Sequence, residues 1–190
     1  ERGLITAADT GGVELRFGNG AALLEMVEQM GARRGFGGLL SQGSRRAAQQ
    51  IGRGTQELTV EVKGQEAPMH EPRVKFGLGI GYAVSPTGAD HNHNFHDSDY
   101  TSEEGIAPLR PLGIQRPLPA EDLSGEKMRL AAVEIPWALL TNALGLCLFI
   151  QQSYERQKVV ELVNVVCGWQ MDMHELLRAG RRLYTICLLY

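Results

Sequence analysis

The first third of the chain carries apolar side chains at the spacing of a helix face. Between Asn19 and Gly31 they recur every three or four residues, and Asn19 can cap the first turn. A second helix is predicted over 39–51, and the glycines of 35–38 predict a flexible break between the two. The chain is therefore expected to begin with amphipathic helices that pack on other elements.

The middle of the chain has a less regular pattern. Alternating apolar and polar residues over 58–62 predict a short strand. A glycine-rich apolar run over 75–85 fits a helix or a strand, and its glycines match neither a dinucleotide fingerprint nor a P-loop. A polar segment follows over 86–125, and a segment of this length in a compact domain is usually functional or disordered.

The longest apolar stretch of the sequence lies in the C-terminal half. A helix is predicted to start at Gly125, to be kinked or restarted by Pro136, and to continue to Tyr154. Its most apolar part, 135–150, is shorter than the roughly 20 residues that a membrane span needs. A buried helix is therefore predicted, and no membrane span.

Two more helices are predicted at the end of the chain, over 159–169 and 173–190. Asp172 and Glu175 have the spacing of a capping box at the start of the last helix. Because helical patterns dominate and strand patterns are rare, the predicted fold class is all-α and multihelical, with at most one short strand pair.

Composition and charge narrow the classes of protein. The net charge is −3, whereas a nucleic-acid surface shows a basic excess, so no nucleic-acid partner is expected. The three cysteines are odd in number and widely spaced, which makes a poor disulfide framework. Each lies in an apolar stretch and is expected to be a buried, reduced thiol, so a cytoplasmic location is predicted. The apolar C-terminal end predicts a piece of a longer protein.

Histidines and aspartates are concentrated in one short part of the polar segment. His91, His93 and His96 stand among three aspartates between positions 90 and 99. Imidazole and carboxylate groups bind zinc or iron, or move protons near neutral pH. The spacing matches no standard zinc pattern, so three hypotheses stay open: a solvated polar loop, a catalytic histidine, and the mononuclear metal site of a hydrolase.

A second candidate site, 142–147, lies inside the predicted apolar helix. Gly145 allows another group to approach the backbone closely, and Cys147 is a residue type that ligates iron–sulfur clusters. One cysteine cannot hold a cluster, so the other ligands would come from elsewhere. The alternative is a buried helix with a free thiol.

Short motifs along nearly the whole chain resemble, in their order, the aldehyde ferredoxin oxidoreductase family of tungsten-pterin enzymes. Each motif is weak by itself, whereas their shared order is highly specific. The motifs lie at 1–6, 35–40, 62–64, 81–83, 88–91, 145–147, 168–169 and 175–180. The resemblance implies a partial chain, with 1–85 in the middle helical domain and 86–190 in the C-terminal helical domain that carries the pterin and cluster segment.

The resemblance also implies a bis-pterin tungsten (or molybdenum) site and a neighbouring [4Fe-4S] cluster. In the family, a motif of Asp, two variable residues, Gly, Leu and Cys contacts one pterin, and its cysteine is a cluster ligand. Gly145, Leu146 and Cys147 match this motif, so Cys147 is the implied metal ligand. Asn142 stands where the family usually has Asp; an amide keeps an acceptor oxygen but loses the charge, so this pterin contact would be weaker.

His91 matches the family's histidine near the metal, which implies proton transfer or polarisation of the substrate carbonyl. An ordinary histidine pKa of about 6.5 suits such a role. His93 and His96 are additional and would mark a subgroup with another substrate. The family includes enzymes that reduce aromatic acyl-thioesters as well as enzymes that oxidise aldehydes, and the sequence does not choose between them.

The function predicted from the resemblance is oxidation of an aldehyde with water to a carboxylate, with ferredoxin as electron acceptor. The N-terminal part of such an enzyme, with the other three cluster cysteines and the second pterin motif, is missing here. The chain alone is therefore expected to be incomplete and inactive. The rival hypotheses are the acyl-thioester reductase, the histidine metal site, and a helical module without cofactor. A homo-oligomer is left open.

Overall fold

The computed structural model of the chain describes residues 2–147, 149 and 154–189. The chain forms two compact units, Glu1–Glu66 and Ala67–Tyr190. The division between these units comes earlier than the boundary between 1–85 and 86–190 that the family resemblance implies. That domain boundary stays a prediction.

The first unit consists of three α-helices, a 3-10 helix and a small antiparallel hairpin. The α-helices are α1 (Gly20–Gly31), α2 (Gly35–Leu40) and α3 (Ser44–Ile51). The 3-10 helix spans Thr55–Leu58, and the strands are β1 (Glu61–Val62) and β2 (Gln65–Glu66). In the hairpin Glu61 pairs with Glu66, and Val62 pairs with Gln65.

The predicted cap of α1 is confirmed, whereas the predicted break before the second helix is wrong. The Asn19 side chain accepts a hydrogen bond from Ala22 N at 3.1 Å. Gly37 belongs to α2, and its N–H donates to Gln29 Oε1 of α1 at 3.1 Å. A Cβ at Gly37 would overlap the backbone and side chain of α1. Close packing between helices therefore gives this glycine segment the order that its composition alone lacks.

The predicted strand over 58–62 is shortened to β1. The residues before it form the 3-10 helix, because the Thr55 hydroxyl is hydrogen-bonded to carbonyl groups at the end of α3. This hydroxyl donates to Ala48 O at 2.9 Å and to Gly52 O at 2.7 Å. A local side-chain bond of this kind competes with the extended backbone that the alternating pattern favours.

The second unit is built from five α-helices within the part of the chain that the structure describes. They are α4 (Phe76–Val84), α5 (Glu103–Ile106), α6 (Gly125–Ala143), α7 (Arg156–Cys167) and α8 (Met173–Leu189). Two 3-10 helices, Asp97–Tyr100 and Ala107–Leu112, flank α5. The all-α fold class with one short strand pair is confirmed.

Helix α6 lies at the centre of the second unit and packs against α8. Buried side chains of this core include Leu130 and Trp137 of α6, Val160 of α7 and Leu176 of α8. A Cβ at Gly180 would come within 2.5 Å of a backbone carbonyl of α6, so the two helices approach closely at this glycine. Burial of such apolar side chains is the main stabilising contribution to a helical unit of this kind.

The prediction that α6 continues to Tyr154 is wrong, because the helix ends at Ala143. Pro136 lies inside α6, so it does not restart the helix; the alternative, a kink at Pro136, stays a prediction. Residues 148 and 150–153 of the predicted continuation lie outside the described residues. Across 2–147, 149 and 154–189, no helix is both long enough and apolar enough to cross a membrane.

A buried ion pair joins α6 to the start of α7. Glu134 accepts hydrogen bonds from Arg156 at 2.6 and 2.7 Å and from the Tyr100 hydroxyl at 2.8 Å. The Arg156 guanidinium also lies over the Trp137 ring, 5.0 Å from its centroid. Burial and the neighbouring Glu134 carboxylate raise the pKa of Tyr100 well above its usual range. This network fixes where the chain enters α7.

The capping box of the last helix is confirmed. Asp172 Oδ1 accepts from Glu175 N at 2.7 Å, and Glu175 Oε2 accepts from Asp172 N at 3.0 Å. The two side chains thus satisfy backbone donors that a helix N-terminus leaves unpaired. The preceding helix was predicted over 159–169 and is observed as α7. It ends before Gly168, and Gly168 itself has a left-handed conformation with φ of 69°.

Candidate functional site

Helix α4 presents a glycine face to the polar segment that carries the histidines. A Cβ at Gly81 would overlap the Asn94 side chain, and a Cβ at Gly77 would come within 2.5 Å of Asp97 Oδ1. The Asn94 amide donates to Leu78 O at 3.0 Å. The glycine-rich run, whose periodicity left helix and strand open, is therefore a helix. Its glycines allow the side chains of Asn94, Phe95 and Asp97 to lie directly against it.

Asp97 anchors this segment to two helices. Its carboxylate accepts from Gly77 N at 3.1 Å and from Leu78 N at 2.9 Å, in the first turn of α4. It also forms an ion pair with Lys127 of α6, and both side chains are 0% exposed. Lys127 donates a further hydrogen bond to Pro119 O at 2.9 Å. A buried charge pair needs such additional hydrogen bonds to offset its desolvation.

Three histidine rings lie close to one another near Asp97 and its neighbours. The ring of His70 lies 4.6 Å from the ring of His91 and 4.6 Å from the ring of His96, centroid to centroid. The rings of His91 and His96 are 6.1 Å apart. Lys75, just before α4, places its Nζ 3.4 Å from His96 Nδ1. All four side chains are half-buried. We call His70, His91, His96 and Lys75 the histidine cluster.

Burial and charge both act on two members of the histidine cluster. The pKa of His70 is lowered, mainly by burial and then by the neighbouring His91 and Lys75. The pKa of His96 is lowered as well, by burial, by Lys75 and by His70, while Asp99 opposes this shift. Both rings are therefore held towards the neutral form, in which an imidazole can accept a proton.

His93 does not join the histidine cluster. Its Nδ1 lies 2.9 Å from Asp90 Oδ2 and 3.3 Å from the Thr87 hydroxyl. Among the described residues, no group of three or more histidines, cysteines or carboxylates is arranged to hold a metal ion. The hypothesis of a mononuclear metal site built from His91, His93 and His96 therefore finds no support in this geometry.

The second candidate site, 142–147, forms the C-terminal turn of α6. Gly145 N donates to Asn142 O at 2.9 Å, and Leu146 N donates to Thr141 O at 3.0 Å. Gly145 has a left-handed conformation with φ of 74°. These two bonds and this φ define a Schellman motif, which favours glycine at that position and often has an apolar residue after it. Leu146 is that apolar residue, because it packs partly buried against the core.

This turn exposes the residue types that a cofactor would contact. Cys147 follows the turn as a free and exposed thiol, and Asn142 is exposed in the last turn of α6. Among the described residues, no atom lies within 4 Å of the Cβ position at Gly145, so the backbone there is open to another group. The segment fits one cluster ligand and one edge of a flat cofactor. One thiol at this turn cannot hold a cluster by itself.

The prediction that the three cysteines are buried is wrong. Cys147 and Cys167 are exposed, and Cys187 is half-buried. Cys147 is exposed because α6 ends before it. Cys167 is the last residue of α7 and is exposed, although its spacing of four from the buried Val163 puts it on the same helix face. Apolar neighbours in the sequence predicted burial, but they do not tell where a helix stops.

The structure does not bring the two candidate sites together. Asp97, next to the histidine cluster, is paired with Lys127 near the start of α6, whereas Cys147 follows its end. At a rise of about 1.5 Å per residue, Lys127 and Ala143 lie roughly 24 Å apart along the helix. Helix α6 therefore holds the histidine cluster near one end and the Gly-Leu-Cys turn at the other.

Sequence reasoning missed His70 as a member of the site. It lies 21 positions before His91 in a turn without helical or strand periodicity. Its carbonyl accepts from the Tyr82 hydroxyl at 3.2 Å, which ties the turn to α4. No local sequence signal reveals this contact, because it depends on how the turn folds back over the helix.

Comparison with known proteins agrees with the motifs. The family model described as "Aldehyde ferredoxin oxidoreductase, domains 2 & 3" matches residues 1–190. Proteins named tungsten-containing aldehyde ferredoxin oxidoreductase are similar to this chain: 32% identical in Pyrococcus abyssi and 29% in Pyrococcus horikoshii, each over 97% of the chain. The one from Pyrococcus furiosus is 30% identical over 90% of the chain. The chain spans 29%, 29% and 26% of these relatives. It belongs to the aldehyde ferredoxin oxidoreductase family, in the part described as domains 2 and 3.

Proposed function

We propose that this chain is part of a tungsten-pterin oxidoreductase that oxidises aldehydes to carboxylates and passes the electrons to ferredoxin. The family match and the names of the relatives support this class of enzyme. The observation that carries most weight is the exposed thiol of Cys147, which directly follows a Schellman turn. That turn explains why glycine and leucine stand directly before the cysteine.

Cys147 is proposed as one of four thiolate ligands of a [4Fe-4S] cluster. Asn142 and the backbone of Gly145 and Leu146 are proposed to contact one pterin. When bound, the metal–pterin group and the cluster supply the redox chemistry, in which two electrons leave the substrate. The remaining ligands would come from the rest of the enzyme, consistent with the 29% of the relatives' length that this chain spans. The exposed, unpaired thiols fit a reducing compartment such as the cytoplasm.

His91 is proposed to accept a proton on the substrate side. Conversion of an aldehyde and one water to a carboxylate releases two electrons and three protons. A neutral imidazole within reach of the reacting water can take one of these protons. His91 is half-buried beside His70. It can take up this proton only if positive charge on its neighbours does not oppose the imidazolium that forms.

The test is the aldehyde-dependent reduction of ferredoxin by the full-length enzyme that contains this chain. His91→Gln is expected to lower kcat about 100-fold or more, since a general base typically contributes that much. His174→Gln, at an exposed histidine of α8, is the matched control and should keep full activity. Equal kcat values for His91→Gln and the wild type, at equal tungsten content, would rule out the proposed role.

A further inference from the structure

We propose that His70 is a second proton-carrying group of the His91 site, placed between two other imidazoles and next to the charge of Lys75. This inference rests on the proposed function, because it takes His91 as the group that first accepts a proton. It adds a residue that the family motif does not contain, and a charge that contributes to its environment.

The position of His70 between two other imidazoles is the first support. Its ring is 4.6 Å from the rings of both His91 and His96, whereas those two rings are 6.1 Å apart. A proton that leaves His91 therefore meets His70 before it meets His96. The Tyr82 hydroxyl holds the backbone of His70 in place through its carbonyl oxygen, at 3.2 Å.

The hydrogen bond of Lys75 distinguishes His70 from His96. An ammonium group has only donors, so His96 Nδ1 must be the acceptor at 3.4 Å from Lys75 Nζ. That lone pair of His96 is therefore engaged. The hydrogen bonds of His70 among the described residues are those of its backbone, whose carbonyl accepts from the Tyr82 hydroxyl and whose N–H donates to Pro68 O, so neither imidazole nitrogen is engaged by a donor there. His70 is thus the better proton acceptor of the two.

Lys75 is the charged group that acts on His70 without a carboxylate partner, whereas most other charged residues nearby form ion pairs. Lys75 forms no salt bridge with a described carboxylate, so its charge acts on the rings. Asp99 opposes the effect of Lys75 at His96. The remaining charged neighbours form pairs with each other: Asp90 with His93, Glu71 with Arg73, and Asp97 with Lys127. The unpaired cation nearest to the rings is therefore Lys75.

The transfer itself moves only a proton. Water at the substrate gives a proton to His91, the imidazolium of His91 gives it to His70, and His70 releases it to solvent. No electron moves between these groups, and each imidazole returns to its neutral form. The charge of Lys75 favours that return, because it destabilises an imidazolium beside it.

The experiment is the pH dependence of kcat/KM for the full-length enzyme. In the wild type the acid limb reports the protonation of groups that must be neutral. Lys75→Met removes one of the causes that favour neutral His70, beside burial and His91, so the acid limb should move to higher pH by up to one unit. Activity on that limb would then fall up to tenfold. Lys75→Arg keeps the charge and should keep the acid limb of the wild type.

A second variant keeps the test independent of Lys75. His70→Gln should lower kcat about tenfold, with partial rescue by added imidazole, whereas His93→Gln, outside the histidine cluster, should not. If Lys75→Met and His70→Gln both leave kcat and the pH profile unchanged while His91→Gln loses activity, the inference is overturned and the proposed function stands. If His91→Gln is fully active, the proposed role of His91 fails, and the inference fails with it.

Discussion

At the scale of single residues, Gly77 and Gly81 decide where the histidines stand. They lie one turn apart on α4, and the side chains of Asp97 and Asn94 occupy the space where their Cβ atoms would be. The segment between Asn94 and Asp97 therefore packs closely against α4. His91 and His96, on either side of Asn94 in the sequence, are positioned by this packing.

Gly81→Ala should destabilise the protein by about 1–3 kcal/mol, because the new methyl group overlaps the buried Asn94 side chain. Gly125→Ala is the matched control, since nothing lies within 4 Å of its Cβ position. It should be neutral, or stabilising by roughly 0.4–1 kcal/mol. Denaturant unfolding measures both free energies. Equal free energies of unfolding for the two variants would show that α4 and the histidine segment are not in close contact.

Sequence reasoning identified His91 but not its surroundings. The residues that define its environment are His70 and Lys75, which lie in a turn and at a helix start with no shared periodicity. Histidine enrichment between 90 and 99 suggested instead that His93 belongs to the site. His93 is paired with Asp90 instead and does not join the histidine cluster. Local composition cannot reveal which of several neighbouring histidines contact each other.

At the scale of elements, the end of α6 is the feature that presents the cofactor segment. Its last turn closes through Gly145 in the left-handed conformation, and Leu146 returns to the core. Cys147 is then exposed as the next residue. A cysteine within the helix would instead have been held on one helix face, with its backbone inaccessible.

Gly145→Val should weaken both the turn and the cluster. A β-branched side chain at φ of 74° costs roughly 1–2 kcal/mol, and the displaced turn would move Cys147. Gly145→Asn is the control, because asparagine tolerates this conformation better. We expect iron per chain to fall in the Val variant and to remain near the wild-type value in the Asn variant. Full iron and unchanged stability in Gly145→Val would contradict this account of the turn.

Helix positions were predicted well where a cap or an apolar face marks them, and poorly where packing decides. The Asn19 cap and the Asp172–Glu175 capping box are local interactions, and both are observed. The formation of α2 depends on contact with α1, and the end of α6 depends on one backbone conformation at Gly145. Such long-range contacts and single conformations leave no periodic signal in the sequence.

At the scale of the whole molecule, the second unit separates the two candidate sites along α6. Lys127, near the start of α6, holds the histidine segment through its ion pair with Asp97. The turn with Cys147 follows the end of α6. In the proposed enzyme the protons would therefore be handled by the histidine cluster, and the electrons would leave near Cys147. The chain spans 29% of its Pyrococcus abyssi relative, so the groups between these two ends would be completed by the rest of the enzyme.

The metal content of the full-length protein, purified without oxygen, tests the central claim most directly. The account predicts tungsten (or molybdenum) and about four irons per chain, as one [4Fe-4S] cluster requires. Cys147→Ser should lose iron, whereas Cys167→Ser, at another exposed thiol, should keep it. Zinc as the sole metal, lost on His91→Ala and indifferent to Cys147→Ser, would contradict the account.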